Sequence, residues 1–173
     1  MVGDGGRSFI SLSQLAGAKT WLATHEHPLF RLWKKDSWTA RAAAVGSLSL
    51  LKWLRGNGFP WERETTAKAA RGGHMEVLKF AHATGCPWAT HTSAEAALRG
   101  DLEMLKWLKA HDAPSDGVCA YAAFKGHLEV LKWARENGCK MDALACIYAV
   151  KGQHFEVLKW LERARVCLGR VGL

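Results

Sequence analysis

The sequence contains little tyrosine and lacks the features that mark several common protein classes. It holds two Tyr beside nine Trp, and no apolar run approaches the roughly 20 residues that a membrane-spanning helix needs. Residues 1–22 do not combine a basic start with an unbroken apolar stretch, so no secretory signal peptide is expected. Five cysteines, an odd number without a C-x-x-C pair, favour a reduced setting. We therefore expect the chain in the cytoplasm or the nucleus.

Motifs for catalysis and cofactor binding are also absent from the sequence. It has no glycine loop to cradle phosphates, no G-x-S-x-G and no zinc-ligand spacing. We therefore expect no enzyme activity, no cofactor, no metal and no membrane contact. Charge is unbalanced, with 24 Lys and Arg against 16 Asp and Glu. This excess favours acidic partners, although the basic residues are spread along the chain rather than gathered in a tail.

A short unit recurs five times along the chain. Its most visible part is Leu-Lys followed by an aromatic residue, and successive aromatic residues are 27, 27, 26 and 27 positions apart. This aromatic column consists of Trp53, Phe80, Trp107, Trp133 and Trp160. Because Phe replaces Trp at one position, we interpret the column as core packing rather than as a base-stacking ladder for single-stranded nucleic acid.

Each unit predicts two short helices. In the second unit, the alanine-rich segment 65–71 predicts the first helix, and segment 75–83 predicts a second helix buried on more than one face. A glycine separates the two helices, and Ser, Asp or His follows it as a predicted N-cap. The predicted N-caps are Ser47, His74, Asp101, His127 and His154. The predicted ends of the second helices are Gly58, Gly85 and Gly138, with Asp112 and Arg165 as exceptions in the other two units.

The motif G-H-L-E-V-L-K-W at residues 126–133, followed by E-N-G-C at 136–139, resembles the second helix and closing glycine of an ankyrin repeat. Ala pairs at 69–70, 96–97 and 122–123 match the alanine pair of that family's first helix. The unit is shorter than the family's usual length of about 33 residues. Cys-Pro-Trp at 86–88 stands where a longer hairpin would begin. The chain is thus similar to the compact ankyrin variety of brown algae, oomycetes and giant viruses.

This resemblance implies an all-α fold, an ankyrin-like helix–turn–helix solenoid whose repeats stack on one another. We expect five repeats over residues 37–166, an N-terminal segment and helical cap over 1–36, and a C-terminal tail over 167–173. Residues 9–36 are also similar to the second half of an F-box. That likeness would make the chain a substrate adaptor of a ubiquitin ligase.

The resemblance further implies a non-enzymatic scaffold that binds a protein partner through the side of the first helices that varies between repeats. Tyr and Arg, two common interface anchors, occur there. The predicted partner-binding residues are Arg41, Lys68, Glu95, Tyr121, Ile147 and Tyr148. We expect a monomer, with self-association through an uncapped C-terminal end as an alternative.

A basic stripe offers another interpretation of the surface. Arg71, Arg99, Lys125 and Lys151 each precede a glycine between the two helices. They fit either as cations at helix C-termini or as a site for nucleic acid or another polyanion. The lysine column that starts at Lys52 is less suited to this role, because in four units a glutamate three residues earlier neutralises it.

Overall fold

Ten helices of seven to nine residues, in five consecutive pairs, make up most of residues 37–166, the part of the chain that the computed structural model describes. The first helices are α1 (Trp38–Ala44), α3 (Glu64–Gly72), α5 (Thr92–Arg99), α7 (Val118–Lys125) and α9 (Ala143–Lys151). The second helices are α2 (Leu48–Gly56), α4 (Met75–Ala83), α6 (Leu102–Ala110), α8 (Leu128–Glu136) and α10 (Phe155–Arg163). Residues 37–166 contain no strand, so the predicted all-α helix–turn–helix array is confirmed. The predicted cap over 1–36 and tail over 167–173 lie outside the described residues.

The first helices pack directly on one another along the array. Each carries two adjacent small residues, and the alanines among them are at most 1 % exposed. These residues are Ala42-Ala43, Ala69-Ala70, Ala96-Ala97, Ala122-Ala123 and Ala149-Val150. Protein interiors are packed as densely as organic crystals, so helices in such contact leave little room beyond a methyl group. The repeated alanine therefore sets the close spacing of the pairs.

The turn between the two helices of a pair has the same geometry five times. One residue is left-handed, with φ between 60° and 78°. The N–H of the next residue donates to the carbonyl of the first small residue, as from His127 to Ala122 at 2.9 Å. The left-handed residues are Gly46, Gly73, Gly100, Gly126 and Gln153. Two of these turns therefore lie one residue later than Gly72 and Gly152, the glycines on which the sequence-based columns rest.

Leucines of the second helices supply the larger side chains of the core. The leucine of the Leu-Lys-aromatic motif is at most 2 % exposed in the first four pairs, as is the residue after the aromatic one in all five. The aromatic residue between them turns to the flank of its helix and is half-buried in every pair. The prediction that the aromatic column lies in the core is therefore wrong. Its rings cover the side of the array.

The C-terminal ends of the second helices agree with the sequence prediction better than their N-caps do. The three predicted end glycines are left-handed, and so are Asp112 at φ 54° and Arg165 at φ 57°, which stand in place of glycine in the other two pairs. Ser47 and Asp101 are the predicted N-caps that accept a hydrogen bond, from the backbone N–H of Leu50 at 3.3 Å and of Met104 at 3.0 Å. The three histidines predicted as caps make no such bond.

Candidate partner-binding surface

Five side chains at one position of the first helices form a row along the array. Each lies five residues before the left-handed residue of its pair, and a buried alanine follows it. The row, called the variable row below, consists of Arg41, Lys68, Glu95, Tyr121 and Tyr148. Arg41 is exposed and the other four side chains are half-buried. Five of the six predicted partner-binding residues thus share one structural position.

Ile147, the sixth predicted residue, lies on a different face. It corresponds in register to Ala40, Ala67, Ala94 and Ala120, which are at most 8 % exposed. Ile147 is 49 % exposed, and Val150, which corresponds to four alanines at 0 %, is 59 % exposed. Both side chains belong to the stacking face of the last described pair. This correction follows from the turn at Gln153, because counting from Gly152 shifts the helix by one residue.

The middle of the variable row borders a cleft of about 300 Å³. Its lining residues are Arg71, His91, Ala94, Glu95, Leu98 and Tyr121. The Glu95 side chain is 16 % exposed, and its Oε2 lies 3.8 Å from Nε of Arg71. That oxygen is buried and accepts no hydrogen bond from the described residues. A buried carboxylate with an unmet acceptor is costly, so a donor that reaches it would be strongly favoured.

Two tyrosines occupy the last two positions of the variable row. The rings of Tyr121 and Tyr148 lie 5.8 Å apart, and Phe124 meets Tyr148 edge-on at 5.9 Å. At the opposite end of the row, the guanidinium of Arg41 lies 5.9 Å from the ring centre of Trp38. The row therefore runs from basic residues, past one carboxylate, to an aromatic patch.

The predicted basic stripe divides into two columns. Arg71 and Lys151 lie two residues before the left-handed turn residue, whereas Arg99 and Lys125 lie one residue before it. All four side chains are exposed. Arg99 already has a structural role, since its Nη1 donates to the carbonyl of Arg71 at 3.3 Å. The four cations therefore do not form a single straight line.

Histidines join neighbouring pairs, a role that the sequence interpretation missed. Nε2 of His74 donates to the carbonyl of Ala44 at 3.2 Å, and Nε2 of His127 donates to that of Leu98 at 3.1 Å. Each ring also covers the turn glycine of the preceding pair, as His154 covers Gly126. In the third pair the same position is Asp101, which caps its own helix. There the guanidinium of Arg99 covers the preceding turn glycine instead.

Tryptophans that follow proline join the pairs on the flank. The indole N–H of Trp61 donates to the carbonyl of Thr84 at 2.9 Å, and that of Trp88 donates to the carbonyl of His111 at 3.2 Å. Each acceptor is the residue after a second helix of the next pair. The Pro-Trp sequence, which stands at the same place in two successive units, was the available signal for this role.

Two of the buried cysteines, Cys86 and Cys119, behave as apolar side chains. Burial raises the pKa of the Cys86 thiol from 9.0 to about 11, and it raises that of Cys119 to about 12. Both sulfurs are therefore protonated at neutral pH, and a thiol is a poor nucleophile and metal ligand compared with a thiolate. Sγ of Cys86 lies 3.6 Å from the carbonyl oxygen of Glu62, to which it donates a weak hydrogen bond.

Within residues 37–166, no three His, Cys, Asp or Glu side chains come together in a group that could hold a metal ion. In the same residues, no helix has both the length and the apolar character required to cross a membrane.

Residues 119–162, which span α7 to α10, match the family model for ankyrin repeats (many copies). The ankyrin interpretation of the sequence is thus confirmed for the last two described pairs. Ankyrin repeats are typically non-enzymatic interaction modules, so the match supports a general role in protein interaction. No curated protein matches the sequence.

Proposed function

We propose that this chain is a non-enzymatic scaffold that binds a protein partner through the variable row. One observation carries the proposal. The first helices are alike at their buried positions, where alanine recurs, and differ at the exposed or half-buried position beside it. Pre-formed helices present this row, so binding costs little ordering of the backbone. Recognition of a particular partner requires accessible side chains that differ between repeats, held on helices whose buried positions are the same.

The chemistry of the row suggests the character of the partner. Arg41 and Lys68 favour acidic groups at one end, while Tyr121 and Tyr148 offer aromatic rings for apolar contacts at the other. Glu95 between them would accept hydrogen bonds from a donor such as Lys or Arg. We therefore expect a partner surface with acidic, basic and apolar groups in that order.

Binding of a peptide selected from a displayed library tests this proposal. The test variant replaces Arg41, Lys68, Tyr121 and Tyr148 with Ala, and the matched control replaces the second-helix lysines Lys52, Lys79, Lys106 and Lys132 with Ala. If the row binds the partner, titration calorimetry shows at least about a tenfold loss of affinity for the test variant alone. Equal affinities of the two variants, with helical content unchanged by circular dichroism, would contradict the proposal.

Binding of nucleic acid or another polyanion through Arg71, Arg99, Lys125 and Lys151 is the second candidate, which the formal charge of +8 favours. Salt separates the two functions. Affinity for a polyanion falls steeply as salt rises, with a slope of about −0.9 for each phosphate neutralised on duplex DNA. Binding through the variable row should weaken much less between about 50 and 200 mM salt, since two of its five side chains are aromatic and its charges are of both signs.

We propose that the repeats are of the compact ankyrin variety, because the short unit and its Cys-Pro-Trp leave no room for a long hairpin. We also propose a monomer that acts in the cytoplasm or nucleus. The adaptor role through residues 9–36 and self-association through the C-terminal end involve residues outside the described part of the chain. Deleting residues 1–36 tests the adaptor role, which predicts loss of one specific partner.

A further inference from the structure

The junction between the first two pairs holds an indole in a defined setting. The Trp61 ring lies beneath the guanidinium of Arg55, 4.7 Å away, and meets the ring of Phe80 edge-on at 6.3 Å. Its N–H donates to the carbonyl of Thr84 at 2.9 Å. The Trp61 indole therefore has three partners: Arg55 of its own pair over the ring, Phe80 of the next pair at its edge, and the Thr84 carbonyl as acceptor for its N–H.

The second junction repeats this setting. The Trp88 ring stacks on His82 at 4.6 Å and meets Trp107 edge-on at 6.1 Å. Its N–H donates to the carbonyl of His111 at 3.2 Å. His82 corresponds in register to Arg55, Trp107 to Phe80 and His111 to Thr84.

The third junction keeps the surroundings without the indole. Lys109, Trp133 and Asn137 occupy the three corresponding positions, but Ser115 stands where the other junctions have tryptophan. A cleft of about 330 Å³ lies there, and these four residues are among those that line it. Nζ of Lys109 donates to the carbonyl oxygen of Asn137, the atom that corresponds to the indole acceptors. At the fourth junction Met141 takes the tryptophan position.

We propose that this cleft binds a tryptophan side chain of a protein partner. The Trp133 ring supplies the edge-on contact, and Asn137 supplies the acceptor for the indole N–H. Lys109 is exposed and flexible, so its ammonium moves from the carbonyl onto the face of the incoming ring, as the Arg55 guanidinium lies over Trp61. No residue of the variable row lines the cleft, so this site is independent of the proposed function.

The probe is a capped peptide with the sequence of residues 85–90, Gly-Cys-Pro-Trp-Ala-Thr, and the control peptide has Ser in place of Trp. We expect saturable chemical-shift changes of the Trp133 indole N–H and the Asn137 side-chain amide in a ¹⁵N-labelled chain. Affinity for so small a ligand should be about millimolar. The Ser control peptide should bind at least about tenfold more weakly, because it lacks the buried ring.

Two variants test the location of the site. Ser115→Trp should fill the cleft from within, raise the thermal midpoint and abolish the shifts. Lys109→Ala, a change at an exposed residue, should weaken binding by about threefold through loss of the cation–ring contact. The reverse substitution Trp88→Ser should create a second site, reported by the Trp107 indole N–H.

Three results would overturn the proposal: no saturable shifts in the wild type, equal binding of the Ser control peptide, or unchanged binding by Ser115→Trp. Sedimentation of the chain without peptide separates a partner from a second copy. A dimer that Ser115→Trp dissociates would mean that a tryptophan of another copy fills the cleft, and would contradict the assignment to a different protein.

Discussion

The Nε2 atom of His127 lies 3.1 Å from the carbonyl oxygen of Leu98 in the preceding pair, and the same ring covers Gly100. A methyl group at Gly100 would lie 2.6 Å from the imidazole Nδ1, so the glycine and the histidine fit each other as a pair. His74 repeats the contact with Ala44. Residues that recur in the sequence therefore hold neighbouring pairs together, which leaves the variable row for recognition.

The first prediction concerns this contact. His127→Ala should lower the free energy of unfolding by about 1–2 kcal/mol, because the carbonyl of Leu98 loses its partner and Gly100 loses its cover. Urea unfolding at neutral pH measures the effect. The control His91→Ala removes a surface contact of 3.4 Å between Nε2 of His91 and Oε2 of Glu64, and it should change stability by less than about 0.5 kcal/mol. Equal effects of the two changes would refute the junction role.

The second prediction concerns the backbone conformations of the neighbouring residues Gly152 and Gln153. Gln153 is left-handed at φ 60°, so Gln153→Gly should raise stability by about 0.5–1 kcal/mol after the entropy cost of glycine is subtracted. Gly152 has φ −80°, and a Cβ there would collide with the carbonyl oxygen of Phe124. Gly152→Ala should therefore lower stability by about 1–3 kcal/mol. Opposite signs of the two changes in urea midpoints are the expected result.

A third prediction tests the spacing of the first helices. Ala97 is 0 % exposed, so Ala97→Val should force neighbouring helices apart and cost about 1–3 kcal/mol. Ala83, at the exposed end of α4, provides the control, since Ala83→Val costs little beyond helix propensity, about 0.5 kcal/mol. Thermal unfolding of both variants gives the comparison. A tolerated valine at position 97 would show that the alanine does not set the spacing.

The buried thiols give a fourth prediction, on pH. The pKa of Cys86 rises from 9.0 to about 11 in the folded chain and that of Cys119 to about 12. The folded state holds these protons more tightly, so their contribution is fully present below pH 9 and is lost as pH rises from 9 toward 11 or 12. Urea midpoints should fall over this window. The fall should be smaller in the double variant Cys86→Ala, Cys119→Ala, and an equal fall would contradict the assignment.

The repeat and its helices could be predicted because they depend on local chemistry. Alanine-rich segments, turn glycines and leucines at helical spacing favour helices and turns within each unit, and α4 has the predicted bounds Met75–Ala83. The left-handed backbone of Asp112 and Arg165, which stand as exceptions to glycine in the sequence, is visible only in the structure. Periodic sequence patterns therefore fix the helices and their order.

The contacts between neighbouring units could not be predicted from the sequence, because a local pattern does not show which side chains reach the next unit. His127 stands where a cap belongs, but its ring reaches the carbonyl of Leu98 in the preceding unit. The aromatic residue lies two positions after a core leucine in the same motif. The turn of the helix over those two positions directs its ring to the flank and not into the core. Counting from Gly152 aligns Ile147 with Tyr121, but the backbone shows that Gln153 is the left-handed residue, which places Ile147 outside the variable row.

The most direct test of the account uses photo-crosslinking from two positions on the chain. A benzophenone amino acid replaces Tyr121 in the variable row or, as the control, Lys106 on α6, and each chain is irradiated with a selected binding protein. Recognition through the variable row predicts a covalent adduct from position 121, competed by unlabelled wild-type chain, and none from position 106. An adduct from position 106 alone would contradict it.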